Sequence, residues 1–297
     1  MNTSSLHGLG VAMVTPFGTK GAVDLPALQR LTNHLVRGGA DFLVVLGTTG
    51  ETPVLSEDEQ RRIVDFVLEV NAGKLPVVVG MAGNDTRALC DRVSTWDLRG
   101  VHAILSASPS YNKPPQQGIV RHFQSLADAS PCPVMLYNVP GRTASNMQAA
   151  TTLELAAHPN ICGIKEASGD LVQISEVLAN RHSDFAVWSG DDALAMPTVA
   201  MGAEGVISVL GNALPGRMST MVQQAAFGQV DEARLTHQAL AHLTALLFRE
   251  GNPAGIKTVL NHLGLMEPHV RLPLVEASKG LRDELYAALA NLNVETA

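Results

Sequence analysis

Ile161-Cys162-Gly163-Ile164-Lys165-Glu166-Ala167-Ser168-Gly169-Asp170 is the stretch that decides the fold. It opens with a short apolar run of the kind found in a strand covered on both faces. Lys165 closes the run and a polar turn follows. Asp170 then stands where a helix needs its cap, ahead of an apolar stripe of Ile174, Val177 and Leu178. Strand, turn and helix in that order are the unit of a parallel α/β sheet.

The same unit recurs along the chain. Runs at Leu9–Val14, Phe42–Leu46, Leu75–Val79, Val101–Leu105, Pro133–Tyr137, Ile161–Ile164, Phe185–Trp188 and Gly205–Val209 are spaced by roughly 20 to 35 residues. About eight strands is the number that closes a (β/α)8 TIM barrel. Helix signals fall between them. Asp24 with Pro26 opens one segment and Gly38-Gly39 ends it, while Ser56 and Glu59 form a capping box. After the eighth run only helical patterns remain, at 231–249, 253–263 and 278–292. The expected organisation is an α/β catalytic barrel over 1–227 and an all-helical C-terminal extension over 228–297.

The bulk numbers narrow the function. The 297 residues are 46% hydrophobic and 16% charged, with a net charge of −7 and no long run of Lys or Arg. That excludes a phosphate-backbone partner, so no nucleic acid is expected. Three isolated thiols, Cys90, Cys132 and Cys162, argue for a reducing compartment. No apolar stretch is long enough for a bilayer, and residues 1–17 lack the pattern of a signal peptide. The expectation is a cytoplasmic enzyme without a membrane partner.

In a parallel barrel, chemistry gathers where strands end. Of six lysines, Lys20, Lys74, Lys113, Lys165, Lys257 and Lys279, only Lys165 closes an apolar strand. A lysine aimed into a barrel mouth loses hydration, which favours the neutral amine that attacks a ketone. A salt bridge to Glu166 or a neighbouring carboxylate fits the spacing equally well. Tyr111 and Tyr137 also sit at strand ends, where a phenol can pass a proton, and Thr48 could join two such phenols; ordinary rim residues would look the same. Arg142 offers a fork for a carboxylate. Gly47-Thr48-Thr49-Gly50 fits no nucleotide-binding loop, yet its small residues could expose backbone N–H groups to an anion. Ten scattered histidines make no ligand set, and Asp191-Asp192 suits helix capping better than a cation, so no metal is expected.

Three segments together resemble the pyruvate-dependent lyases of the dihydrodipicolinate synthase and N-acetylneuraminate lyase family. They are Gly47-Thr48-Thr49-Gly50-Glu51, Tyr137-Asn138-Val139-Pro140-Gly141-Arg142-Thr143 and Gly163-Ile164-Lys165-Glu166-Ala167. Arg142 within Gly-Arg-Thr is most similar to the branch that condenses pyruvate with aspartate semialdehyde. The resemblance implies an imine on Lys165, proton transfer by Tyr137, and a relay completed by Thr48 and Tyr111, with Tyr111 reaching into a neighbouring subunit's site. It implies that Thr49, with backbone groups of Gly190 and Ile207, holds the pyruvate carboxylate, and that Arg142 holds the second substrate. No cofactor is implied, because the protonated imine is the electron sink. A homotetramer built from tight dimers is the implied assembly.

The sequence departs from the pattern at Ser110, where many relatives carry a second tyrosine. Gln60 and Ala88, like Ser110, also replace residues used by lysine-regulated members, while Asn84 is retained, so weak or absent feedback inhibition by lysine is expected. The rivals are an aldolase of the same family acting on a keto sugar acid or a hydroxy-oxoglutarate, a non-catalytic pyruvate sensor, and a metal-dependent aldolase.

Overall fold

The computed structural model describes residues 6–293. Eight parallel strands close into a barrel in sequence order: β1 Gly8–Ala12, β2 Phe42–Val45, β3 Val77–Gly80, β4 Ala103–Ala107, β5 Val134–Asn138, β6 Ile161–Glu166, β7 Ala186–Ser189 and β8 Gly205–Ser208. Nearly every strand residue is buried, which is why these runs read as continuously apolar. Several strands run further than their apolar letters. β5 and β6 include Asn138, Lys165 and Glu166, polar groups that the barrel end accommodates.

The helices that follow the strands are α1 Leu25–Gly38, α2 Glu57–Asn71, α3 Thr86–Thr95, α4 Gln116–Ala129, the short α5 Pro140–Thr143 at the barrel mouth, and α6 Ala149–Ala156. They continue with α7 Leu171–Asn180, α8 Ala195–Ala200 and α9 Pro215–Ala226. The sequence signals act as expected. Asp24 accepts from the Ala27 amide, Gly39 takes the left-handed conformation at φ 91°, and Ser56 and Glu59 cap reciprocally. Asp170 accepts from the amides of Val172 and Gln173. The chain ends in α10 Val230–Phe248, α11 Ala254–His262 and α12 Lys279–Asn291. Among the described residues, no helix is long and apolar enough to cross a membrane.

Two layers of core follow from strand alternation. Val134 and Leu136 of β5 pack outward against helices, while Met135 and Tyr137 face the interior with Phe42, Trp188 and Ile207. In β6 the alternation is interrupted. Val134 pairs with Ile161 and Met135 with Gly163, so Cys162 is an extra residue, a β-bulge. Ile161 and Ile164 both face outward although they are three apart, and Lys165 therefore turns toward the barrel axis. Gly163 makes this possible: a Cβ there would lie 2.3 Å from the Ala186 carbonyl oxygen and 2.7 Å from the Trp188 ring.

Candidate active site

The barrel mouth opens into a cavity of about 570 Å³. Lys165 and Tyr137 meet at its floor, paired in register at the ends of β6 and β5. Both are buried, and the Lys165 Nζ lies 4.5 Å from the centre of the Tyr137 ring. Among the described residues no carboxylate lies within 4.0 Å of that nitrogen. The alternative of a pair with Glu166 fails for a geometric reason. Glu166 faces the other side of the strand, where it accepts from Asn138 Nδ2 at 3.0 Å, Gln173 Nε2 at 3.1 Å and the Ser168 amide at 2.8 Å. Burial pushes the Glu166 carboxyl up from its ordinary range, against the pull of those donors.

Six of the eight expected site residues line this cavity: Lys165, Tyr137, Thr48, Thr49, Arg142 and Gly190. Thr48 and Thr49 lie on a 3-10 turn after β2, and Arg142 on the short α5 after β5. Gly190 follows β7, and any side chain there would press on Lys165, its Cβ coming within 3.0 Å of Cε. Two residues fall outside. Ile207 is buried in the inner core of the barrel, and Val209, two positions on, lines the cavity instead. Tyr111 is 90% exposed in the loop after β4 at φ 69°, away from the cavity of its own chain. Asp191 caps the following turn through the Ala193 amide. Asp192 is buried and accepts from the amides of Val209 and Leu210.

The C-terminal helices contribute more than sequence reading anticipates. His237, Ala241, Thr244, Ala245 and Phe248, one face of α10, form the outer wall of the cavity. Burial draws the His237 imidazole below its ordinary value. Beneath the wall, Asn252 Nδ2 donates to Thr49 Oγ1 at 2.9 Å. Lys257, buried in α11, donates to the buried Glu51 and, at 2.8 Å, to the His269 carbonyl. Arg271 completes the anchor: its backbone N–H donates to Glu51 at 3.0 Å and its guanidinium grips both oxygens of Glu59. These links hold Glu51 in the left-handed region at φ 56°, a conformation that needs support in a non-glycine residue. By position alone Lys257 reads as part of the helical tail. Its signal was available, since Ala254-Gly255-Ile256-Lys257-Thr258-Val259-Leu260 has too little polar surface to face water on any side.

A second cavity of about 350 Å³ adjoins the first behind Thr48 and Tyr137. Gln60 and Arg92 line it; the guanidinium bonds to the Gln60 carbonyl, and the Gln60 amide donates to the Leu55 carbonyl at 2.9 Å.

Similarity to known proteins extends across nearly the whole chain. The sequence profile of the dihydrodipicolinate synthetase family matches residues 5–292. A 4-hydroxy-tetrahydrodipicolinate synthase of Parabacteroides distasonis is 44% identical over 292 residues, covering 98% of both chains. Another, of Azobacteroides pseudotrichonymphae, is 47% identical over 285 residues and covers 96% of each. Among solved structures, the dihydrodipicolinate synthase of Thermotoga maritima superposes with a TM-score of 0.95 at 36% identity, over 98% of this chain and all of that one (100%). That of Aquifex aeolicus gives 0.94 at 36% identity, over 97% and 99%. The chain belongs to the dihydrodipicolinate synthetase family.

Proposed function

We propose that this chain condenses pyruvate with L-aspartate 4-semialdehyde, as a 4-hydroxy-tetrahydrodipicolinate synthase, through an imine on Lys165. The observation that carries the reading is a buried amine with no ion partner among the described residues, set against a phenol in the mouth of a closed barrel. Lys165 adds to the pyruvate ketone, and loss of water leaves the protonated imine. Loss of a methyl proton gives the enamine, whose carbon attacks the aldehyde. The substrate's own amine then displaces Lys165 and closes the six-membered ring. Tyr137 moves the protons at the amine and carbinolamine, with Thr48 beside it. Thr49 and the Gly190 backbone at the cavity wall hold the keto-acid carboxylate, without Ile207, which does not line the cavity, and Arg142 at the rim holds that of the second substrate.

Tyr111 enters this scheme only as a residue lent to another copy. Its exposure suits a homotetramer of tight dimers in which the ring completes a neighbour's relay. Weak inhibition by lysine remains part of the reading. The Arg92 guanidinium sets a positive charge beside Gln60, one of the positions where this chain departs from lysine-regulated members. The decisive experiment incubates the protein with pyruvate and borohydride and locates the reduced adduct by mass spectrometry. An aldehyde panel follows, aspartate semialdehyde first. No pyruvate-dependent adduct at Lys165 would reject the mechanism, and faster turnover of a keto sugar acid would favour the rival aldolase.

A further inference from the structure

A hydroxyl has one proton, and the neighbour that takes it decides what the group can offer a ligand. Thr49 is buried at the cavity wall, and its Oγ1 accepts from Asn252 Nδ2 at 2.9 Å. Having accepted from an amide, the Thr49 hydroxyl keeps its own proton, and no acceptor among the described residues takes it.

Asn252 lines the same cavity, and among the described residues its side chain makes no other hydrogen bond. It is buried, and its Oδ1 has no hydrogen-bond partner among the described residues. It does not cap α11, which starts without a side-chain cap. An amide with an unpaired buried carbonyl is less favourable than an apolar residue of the same size. The bond to Thr49 is what the amide contributes.

We propose that Asn252 is a positioning residue for keto-acid recognition: it fixes the Thr49 hydroxyl as a donor aimed at the substrate carboxylate. The inference rests on the synthase reading and deepens it, because it makes the junction of α10 and α11 part of pyruvate specificity. Asn252 acts through Thr49.

The test compares Asn252→Ala, Asn252→Asp, Thr49→Val and the Asn252→Ala/Thr49→Val double variant with the wild type. Pyruvate affinity is measured by calorimetry on the protein alone, and KM and kcat by turnover. Asn252→Ala should raise KM for pyruvate about tenfold, the effect of one lost hydrogen bond, with kcat changed far less. Asn252→Asp, of the same size, should be worse, because its carboxylate accepts the Thr49 proton and leaves no donor for the substrate. The double variant should bind pyruvate no more weakly than Thr49→Val alone, since the two residues act as one unit. Wild-type affinity in Asn252→Asp, or multiplying losses in the double variant, would overturn the proposal. Borohydride trapping separates the two failures. A wild-type adduct beside unaffected Asn252 variants rejects this inference alone, whereas no wild-type adduct rejects the synthase reading beneath it.

Discussion

Two lysines are buried in this molecule, and they do opposite things. Lys165 at the barrel mouth is 6% exposed, and Lys257 under the adjacent turn is 0% exposed. Each has an aromatic ring beneath its nitrogen, Tyr137 at 4.5 Å and Phe17 at 4.2 Å. Burial and a neighbouring ring therefore do not distinguish a nucleophile from a structural cation. The counter-charge does. Lys257 is locked to Glu51, whereas Lys165 meets no carboxylate among the described residues and opens onto a cavity. Burial draws the Lys257 ammonium down to about 8, while contact with Glu51 pulls it the other way. An amine held by a carboxylate and a carbonyl has no lone pair to offer; its work is to tie the tail to the Thr48–Glu51 turn.

Removing each amine should separate chemistry from stability. Lys165→Ala is expected to abolish pyruvate-dependent borohydride trapping and to lower turnover at least ~10⁴-fold, as loss of a covalent nucleophile does. With no ion pair broken, its melting temperature should stay near that of the wild type. Lys257→Met strands the Glu51 carboxylate in the core, an error that costs about 3–5 kcal/mol. Its thermal midpoint should fall by roughly 5–15 °C. Adding Glu51→Gln should recover much of that loss, because the unpaired charge is gone. A Lys257→Met protein that melts like the wild type would dissolve the distinction between the two sites.

Much of this arrangement is legible in the letters, and what is not has identifiable causes. Caps at Asp24, Ser56 and Asp170 and the eight apolar runs declare the barrel through local rules, and Tyr137 and Lys165 declare themselves by standing where their apolar runs end. The direction of Lys165 is another matter. Strict alternation from the outward-facing Ile161 would turn Lys165 outward as well, and only the bulge at Cys162 brings it inside. A bulge depends on the partner strand, which local sequence does not display. The anchors Asn252 and Lys257 were hidden for a related reason: their partners lie 203 and 206 positions away. Tyr111 illustrates the converse, since its expected role needs a surface that a single chain does not contain. Gly163→Ala tests the bulge directly. The added methyl must displace both the Ala186 backbone and the Trp188 ring, which costs about 1–3 kcal/mol. If Lys165 moves by even about 1 Å, adduct formation should slow by up to ~10²-fold. Wild-type trapping kinetics in a folded Gly163→Ala protein would show that the bulge does not aim the amine.

The smallest effect concerns the outer half of the anchor. The Arg271 guanidinium beside Glu59 holds that carboxyl down at about 2, below its ordinary value of 4.5. The folded state thus releases the Glu59 proton more readily than the unfolded chain. The stability gained from this pair is fully present above pH 4.5 and is lost as pH falls toward 2. Glu59 is partly solvated, so the contribution is modest, about 1 kcal/mol or less. Glu59→Gln should melt a few degrees below the wild type at pH 7, and the gap should close as both are acidified from about pH 5 to pH 2.5. The same substitution should leave Lys165 trapping almost untouched, because the inner links from Lys257 to Glu51 and from Asn252 to Thr49 still hold the turn. A gap that stays constant with pH would remove Glu59 from the anchor. A large loss of trapping would mean that the two lysine sites are coupled more tightly than their separate hydrogen bonds imply.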